Sequence, residues 1–283
     1  MNIIQGNEMA EKIKDNIVQE IIKLGNPQPN LAIILIGKQA DSELYVSLKE
    51  REAKKVGIDT HLYKCEDNIS ESKILEIIKY LNDDELISAI LIQLPLPNNL
   101  DADVVIKAID PSKDVDGFHP NNLKKILNNN SSYLMPPVFA VILEILNNIN
   151  YKILNKQVCI ISNSNIFGQT LAHILKCQGT NVETIKIDDK NLNKKISQAD
   201  VLITAVGKPK FIKKNMIKNQ AIIIDIGITK QGDKVVGDVD FEDVKNKVSY
   251  LTPVPGGVGP ITIAMALKNT LELYKRRHGI TRL

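Results

Sequence analysis

The sequence predicts an α/β protein: two α/β domains with parallel sheets. Three observations lead there. Short apolar, β-rich runs alternate with helical stripes of apolar residues, the pattern of strands covered by helices. A long irregular stretch, "LPLPNNLDADVVIKAIDPSKDVDGFHP", interrupts that alternation once, after which it resumes. Finally, 283 residues suffice for one large or two modest domains with a sizeable core.

Taken in order, Ile13, Ile17 and Ile21 mark a first amphipathic helix that Gly25 can end. LAIILI (31–36) reads as a buried strand, and 41–56 as a helix stopped at Gly57. HLYKC, a helix from Ser70 to Leu81 and the strand SAILIQ complete a βαβ series, which implies parallel pairing. Beyond the irregular stretch, a helix over 137–149 leads into a second series: QVCII, NVETIKI, DVLITAV and AIIIDIGI. A last helix spans roughly 259–277, and "NNN" at 128–130 reads as a surface loop.

Composition excludes several classes. The 36 basic and 33 acidic side chains give a net charge of +3, and the terminal "YKRRHG" reads as a solvated helix end, so nucleic acid is not expected as a partner. Cys65, Cys159 and Cys177 are odd in number and lack metal-ligand spacing, so neither disulfides nor a metal is expected. No apolar run approaches the ~18 residues of a membrane span and no signal core is present, so the expected compartment is the cytoplasm, away from any membrane.

Chemistry concentrates in the turns. "ISNSNIFGQT" (161–170) lies between a strand and a helix, where helix N-terminal amides and the hydroxyls of Ser162 and Ser164 offer donors to a pyrophosphate. By itself this is equally a plain βα turn capped by serine or asparagine. Asp188 and Asp189, about 20 residues beyond Gly168, stand where a carboxylate meets an adenosine ribose. Tyr45 and Lys49, four apart in "SELYVSLK", share one helix face. Gln93 ends a strand, at the edge where open α/β sheets bind ligands. Asp114 and Asp116 stand beside a flexible Gly117, and "TPVPGGVGPIT" is a proline-framed glycine loop that lets a flat ligand approach the backbone.

YVSLK, LIQLPLP, SKDVDGFHP, AVGKP, VGDVDF and TPVPGGVGP occur in the order and spacing of the bifunctional methylenetetrahydrofolate dehydrogenase/cyclohydrolase family, which the chain resembles from its first helix to its last. The resemblance implies a folate-binding catalytic domain over 1–136, completed by a C-terminal helix about 265–283. It further implies that the second domain, over 137–264, is a Rossmann-like NAD(P)-binding domain, with a cleft between the two domains, a tetrahydrofolate substrate in that cleft, and a homodimer. By the same likeness Lys49 is the proton shuttle of hydrolysis, Gln93 holds and tunes it, Tyr45 packs on folate, Asp116 grips the pterin, and Gly256 and Gly257 border the folate. Cofactor binding falls to Ser162, Asn163, Ser164, Gly168, Asp188 and Ile228. Asp114 reads as a turn carboxylate, and His119, like the other three histidines, as structural.

The chain departs from the family pattern at several points. Ser162 replaces a usual glycine, Gln169 an arginine and Thr170 a proline, and Ile187 stands near a usual basic residue. Two missing cations beside Asp188 and Asp189 favour NAD, whereas the family alone favours NADP. "MPPVFA" (135–140) replaces a Pro-Cys-Thr-Pro-x-Gly stretch, and Lys124 a glycine. These changes leave a second reading, a cyclohydrolase with impaired dehydrogenase activity. A noncatalytic folate- or nucleotide-binding relative is a third, and a different nicotinamide dehydrogenase lacks its expected His/carboxylate pair or clamping arginine.

Overall fold

The computed structural model describes residues 1–130, 132–232 and 234–280. β1 (Asn2–Ile3) and α1 (Gly6–Lys23) open the chain. Next come β2 (Asn30–Ile36), α2 (Ala40–Val56), β3 (Asp59–Cys65), α3 (Glu71–Asp83) and β4 (Ala89–Ile92). α2 stops because Gly57 takes a φ of 81° and closes the last turn with its amide. α3 starts where the Ser70 hydroxyl oxygen accepts the Lys73 amide.

The stretch read as irregular in fact holds α4 (Ala102–Lys107), and α5 (Pro120–Leu127) begins at its last residue. Asp101 caps α4 by accepting the amides of Asp103 and Val104, and one buried side chain, Val105, anchors it. Six residues are too few to display a helical period among so many prolines and aspartates.

The rest of the chain supplies α6 (Pro137–Asn148), β5 (Gln157–Ser162), α7 (Asn165–Lys176), β6 (Asn181–Ile185), α8 (Leu192–Ile196) and β7 (Val201–Ala205). β8 (Ile222–Asp225), β9 (Thr229–Gln231), β10 (Lys234–Val236), α9 (Phe241–Val244), β11 (Tyr250–Leu251) and α10 (Val258–Arg277) follow. Among the described residues no helix is long and apolar enough to cross a membrane.

Two compact units result. The first, Glu11–Pro137 with the residues from Ile263 onward, contains a parallel three-stranded sheet in the order β3-β2-β4. Ile34, Ile74, Ile78, Leu81 and Ile90 are buried in its core, the inward faces of strands meeting the apolar stripe of α3. Lys14 and Glu52 pair inside this unit and tie α1 to α2.

The second unit, Met1–Ala10 with Val138–Thr262, contains a six-stranded sheet in the order β1-β11-β8-β7-β5-β6, parallel at every pairing. Chain order reverses direction between β5 and β7, the switch point where doubly wound sheets open a crevice at the carboxyl ends of their strands. Residues Met1–Ala10, read above with the first domain, lie in this unit: β1 joins its sheet as an edge strand beside β11, with Asn2 opposite Tyr250 and Ile3 opposite Leu251. A two-residue strand gives no alternation to read, and its pairing is fixed by backbone hydrogen bonds to Ser249 and Leu251.

Gly6 makes the same segment consequential. A Cβ on Gly6 would lie 1.9 Å from the Gly257 carbonyl oxygen and 2.5 Å from that of Gly256, both backbone atoms of the glycine loop. Gly6→Ala is expected to cost about 1–3 kcal/mol through overpacking and to lower the melting temperature by several degrees. An unchanged thermal transition contradicts this packing.

Candidate active site

Lys49 and Tyr45 lie one turn apart on α2, both half-buried. The Lys49 amine donates to Gln93 Oε1 at 2.8 Å. Gln93 is the first residue beyond β4, held there by its amide on the Ile34 carbonyl at 2.9 Å. Its Nε2 donates to the Leu94 carbonyl at 2.7 Å, which leaves Oε1 facing the lysine.

A third segment brings Asp116 to the same edge. Residues 113–115 run beside β4, with Asp114 bridged in parallel to Ile90. The buried Lys113 anchors this run by donating to the carbonyls of Leu81 (2.8 Å), Asn82 (2.8 Å) and Asp84 (2.7 Å) at the end of α3. Asp114 is a turn carboxylate: it accepts the amides of Gly117 (3.0 Å) and His119 (2.8 Å) and the side-chain amide of Asn122 (2.9 Å). His119 caps α5, its Nδ1 accepting the Asn121 amide at 3.0 Å while Nε2 faces the Lys107 carbonyl at 3.2 Å. Of this group, sequence reasoning did not find Lys113. A lysine beside the paired aspartates offered no signal, because its partners are carbonyls about 30 residues away.

Electrostatics follow from burial. The Asp116 carboxyl borders a small apolar cavity with Ile92, Leu94, Ile106 and Phe118. That burial, with Asp114 adding repulsion, pushes its pKa up to about 6 against the opposing pull of Lys49. Burial likewise lowers the Lys49 amine from its ordinary 10.5, with Asp116 opposing. Both groups move toward neutrality, so loss of solvent outweighs their mutual attraction. Burial also raises the Tyr45 phenol, with Asp41 contributing. An amine with an accessible neutral form, fixed by an amide oxygen, can take up a proton and return it.

In the six-stranded unit, the turn after β5 lies at the switch point. Ser162 is buried, and its hydroxyl accepts the Ser164 amide at 3.1 Å. Ser164 caps α7 by accepting the Phe167 amide at 3.2 Å, and the first amides of α7 have no acceptor within the helix. Asn163 reaches across the crevice, donating from Nδ2 to the Val206 carbonyl beyond β7 at 3.2 Å. Gly168 is buried against β6, where a Cβ would fall 2.6 Å from Thr184 Cγ2. It permits close helix–sheet packing, the part played by the last glycine of a dinucleotide fingerprint.

Beyond β6, Asp188, Asp189, Lys190, Lys194, Phe211 and Met216 line a cavity of about 650 Å³. Asp189 is engaged by the Asn191 amide at 2.7 Å and the Lys195 amine at 3.0 Å, which hold its carboxyl below the usual range. Asp188 is exposed, as is Ile228 in the loop after β8. These features fit a dinucleotide: free helix amides for phosphate, a backbone approach, and a carboxylate at the ribose end. Gly256 and Gly257 also belong to this unit. Gly256 takes a φ of 95°, and a Cβ on Gly257 would lie 2.5 Å from the Pro253 carbonyl, so the loop presents bare backbone.

A doubly wound parallel sheet with such a turn, carried on one chain with a half-buried lysine–glutamine–aspartate group, defines the class of a dinucleotide-dependent enzyme. Comparison with known proteins gives the family. Residues 4–116 match the model of the tetrahydrofolate dehydrogenase/cyclohydrolase catalytic domain, and residues 136–278 that of the NAD(P)-binding domain of the same family. The bifunctional protein FolD of Sulfurihydrogenibium sp. is 42% identical over 98% of this chain and 99% of its own. That of Mycoplasma capricolum is 43% identical over 98% and 99%. Among solved structures, the FolD methylenetetrahydrofolate dehydrogenase/cyclohydrolase of Campylobacter jejuni superposes with a TM-score of 0.92 at 37% identity, covering 98% of this chain and 99% of that one. The Trypanosoma brucei enzyme, solved with NADP and an inhibitor, gives 0.92 at 29% identity, covering 97% of each chain. The chain belongs to the tetrahydrofolate dehydrogenase/cyclohydrolase family.

Proposed function

We propose that this protein is a bifunctional enzyme of one-carbon metabolism. It oxidises 5,10-methylenetetrahydrofolate to the 5,10-methenyl form with NAD(P) and hydrolyses that product to 10-formyltetrahydrofolate. The observation that carries this reading is the Lys49 amine, lowered by burial and held at 2.8 Å by Gln93, on a chain that relatives named bifunctional match along nearly its full length.

The two steps ask different things of the protein. Removing hydride from a carbon between two nitrogens leaves a stabilised cation, so the chain's task is alignment, with no general base required. The dinucleotide supplies the hydride acceptor; the α7 start, Ser162, Asn163, Ser164, Asp188 and Ile228 would hold it, with Gly168 letting α7 seat closely. In hydrolysis the attacking water loses a proton and the departing ring nitrogen gains one. Lys49 accepts the first and returns it to the second, while Gln93 keeps the amine aimed. Asp116 receives the forked donors of the pterin and Tyr45 packs on its ring.

NAD is the preferred dinucleotide. Gln169 and Ile187 supply no cation for a 2′-phosphate, and with Asp189 engaged by Lys195, Asp188 is the carboxylate left to meet the ribose diol. Lys190 and Lys194 line the same cavity and temper that preference. Asp188→Ser is therefore expected to raise kcat/KM for NADP about tenfold relative to NAD. Wild-type turnover with NADP equal to or above that with NAD contradicts the assignment. The protein works as a homodimer, which light scattering on the purified chain tests by mass.

The whole reading is tested by following NADH or NADPH formation from methylenetetrahydrofolate and, separately, the loss of methenyltetrahydrofolate absorbance. Both signals are expected. Hydrolysis alone selects the cyclohydrolase with an impaired dehydrogenase, and neither signal overturns the proposal.

A further inference from the structure

Two carboxylates that the reaction does not use lie inside the six-stranded unit: Asp225 is 2% exposed and Asp238 fully enclosed. Asp238 collects three donors. Its Oδ2 accepts the Thr204 hydroxyl at 2.9 Å and the Val206 amide at 2.8 Å, and its Oδ1 accepts the Lys208 amide at 2.8 Å. Asp225 in turn fixes the backbone that carries Asp238, accepting the amides of Asp238 at 3.1 Å, Val239 at 2.9 Å and Gly227 at 3.0 Å. Its own amide donates to Thr252 Oγ1 at 2.7 Å.

The surrounding backbone is shaped to admit both groups. A Cβ on Gly227 would lie 2.2 Å from the Asp238 carboxyl, and one on Gly237 would lie 2.0 Å from Asp225 Oδ2. Buried carboxylates are costly, and apolar residues in their place commonly match or exceed their contribution to stability. Their use here is orientation. Three converging donors need an acceptor-only group with two oxygens, a demand that a carboxylate meets and an amide does not.

What they orient is the crevice. Val206 and Lys208 follow β7, and the Val206 carbonyl receives Asn163 from the turn after β5, so hydrogen bonds linked through the residues Val206 and Asp238 join that turn to Asp225. We propose that Asp238, set in place by Asp225, is a positioning residue for the dinucleotide: it fixes the loop after β7, and through Val206 the Asn163 turn, in the geometry the ligand requires. This rests on the reading of that edge as the NAD(P) site.

The test is to titrate NADH and NADPH by nicotinamide fluorescence into wild type, Asp238→Asn, Thr204→Val and Thr204→Ser, assaying methenyl hydrolysis in parallel. Loss of one hydrogen bond in Thr204→Val is expected to raise Kd about fivefold, and Asp238→Asn, which turns a donor toward a donor, about tenfold or more. Thr204→Ser keeps the hydroxyl and should retain wild-type affinity, with hydrolysis preserved in all three. Thr204→Val decides the matter if Asp238→Asn does not fold. Wild-type affinity in Thr204→Val, equal losses in Thr204→Ser and Thr204→Val, or hydrolysis falling in step with affinity each overturns the positioning role while leaving the dinucleotide site intact. A wild type that binds neither nucleotide overturns the site and the inference together.

Discussion

Lys49→Met is expected to lower methenyltetrahydrofolate hydrolysis by about three orders of magnitude, the upper part of the range that a positioned proton carrier contributes. Methionine keeps the length and most of the packing of lysine but has no proton to exchange. The variant should therefore still bind folate and dinucleotide, and it should fold at least as stably, because burying the Lys49 ammonium works against folding. Gln93 accepts from the amine at 2.8 Å and would lose that donor, so part of the loss at hydrolysis is loss of order around Gln93 itself. The assay is the decay of methenyl absorbance. A variant that hydrolyses at the wild-type rate removes Lys49 from the reaction.

Asp116→Asn carries the second large effect. An amide presents an NH₂ group where the forked pterin donors need an oxygen, and loss of a charge-assisted pair is expected to reduce folate kcat/KM by roughly 30- to 100-fold. Stability should move the other way. The folded-state pKa of about 6 lies above the ordinary 3.8, so the wild-type group favours folding fully only below pH 3.8, and that contribution is lost as pH rises through 6. At pH 8 Asp116→Asn should be more stable by about 1 kcal/mol, less than the full shift implies because the group keeps some contact with solvent. At pH 3.5 the two proteins should melt together. The same ionisation makes the wild-type KM for folate rise as pH falls below about 6. A variant with wild-type folate kinetics and no pH-dependent stability difference contradicts the role and the burial together.

Much of this was legible in the sequence, for identifiable reasons. β2, β4, β5, β7 and β8 are apolar runs between turn residues, and Gly57 ends α2 by a conformation that glycine adopts without cost. Tyr45 and Lys49 announce a shared face by their spacing. What stayed hidden depends on backbone groups or distant partners. β1 is two residues long and takes its place from β11, some 250 residues away. α4 is one short turn anchored by Val105. The engagement of Asp189 with Lys195 and the Asn191 amide separates two adjacent carboxylates that read alike in sequence. What Asp225 and Asp238 hold was not legible, although Asp238 lies in the VGDVDF motif, because most of their partners are peptide amides, which every sequence contains.

The measurement that bears most directly on the proton carrier is the pH dependence of methenyltetrahydrofolate hydrolysis in wild type and in Lys49→Arg, corrected for the uncatalysed rate. Arginine keeps a positive charge but does not deprotonate in this range. Wild type should display an ionisation well below 10.5 that governs the rate, and Lys49→Arg should lose both that ionisation and nearly all activity. Matching profiles, or an arginine variant that hydrolyses normally, would mean that positive charge alone suffices and that no proton passes through residue 49.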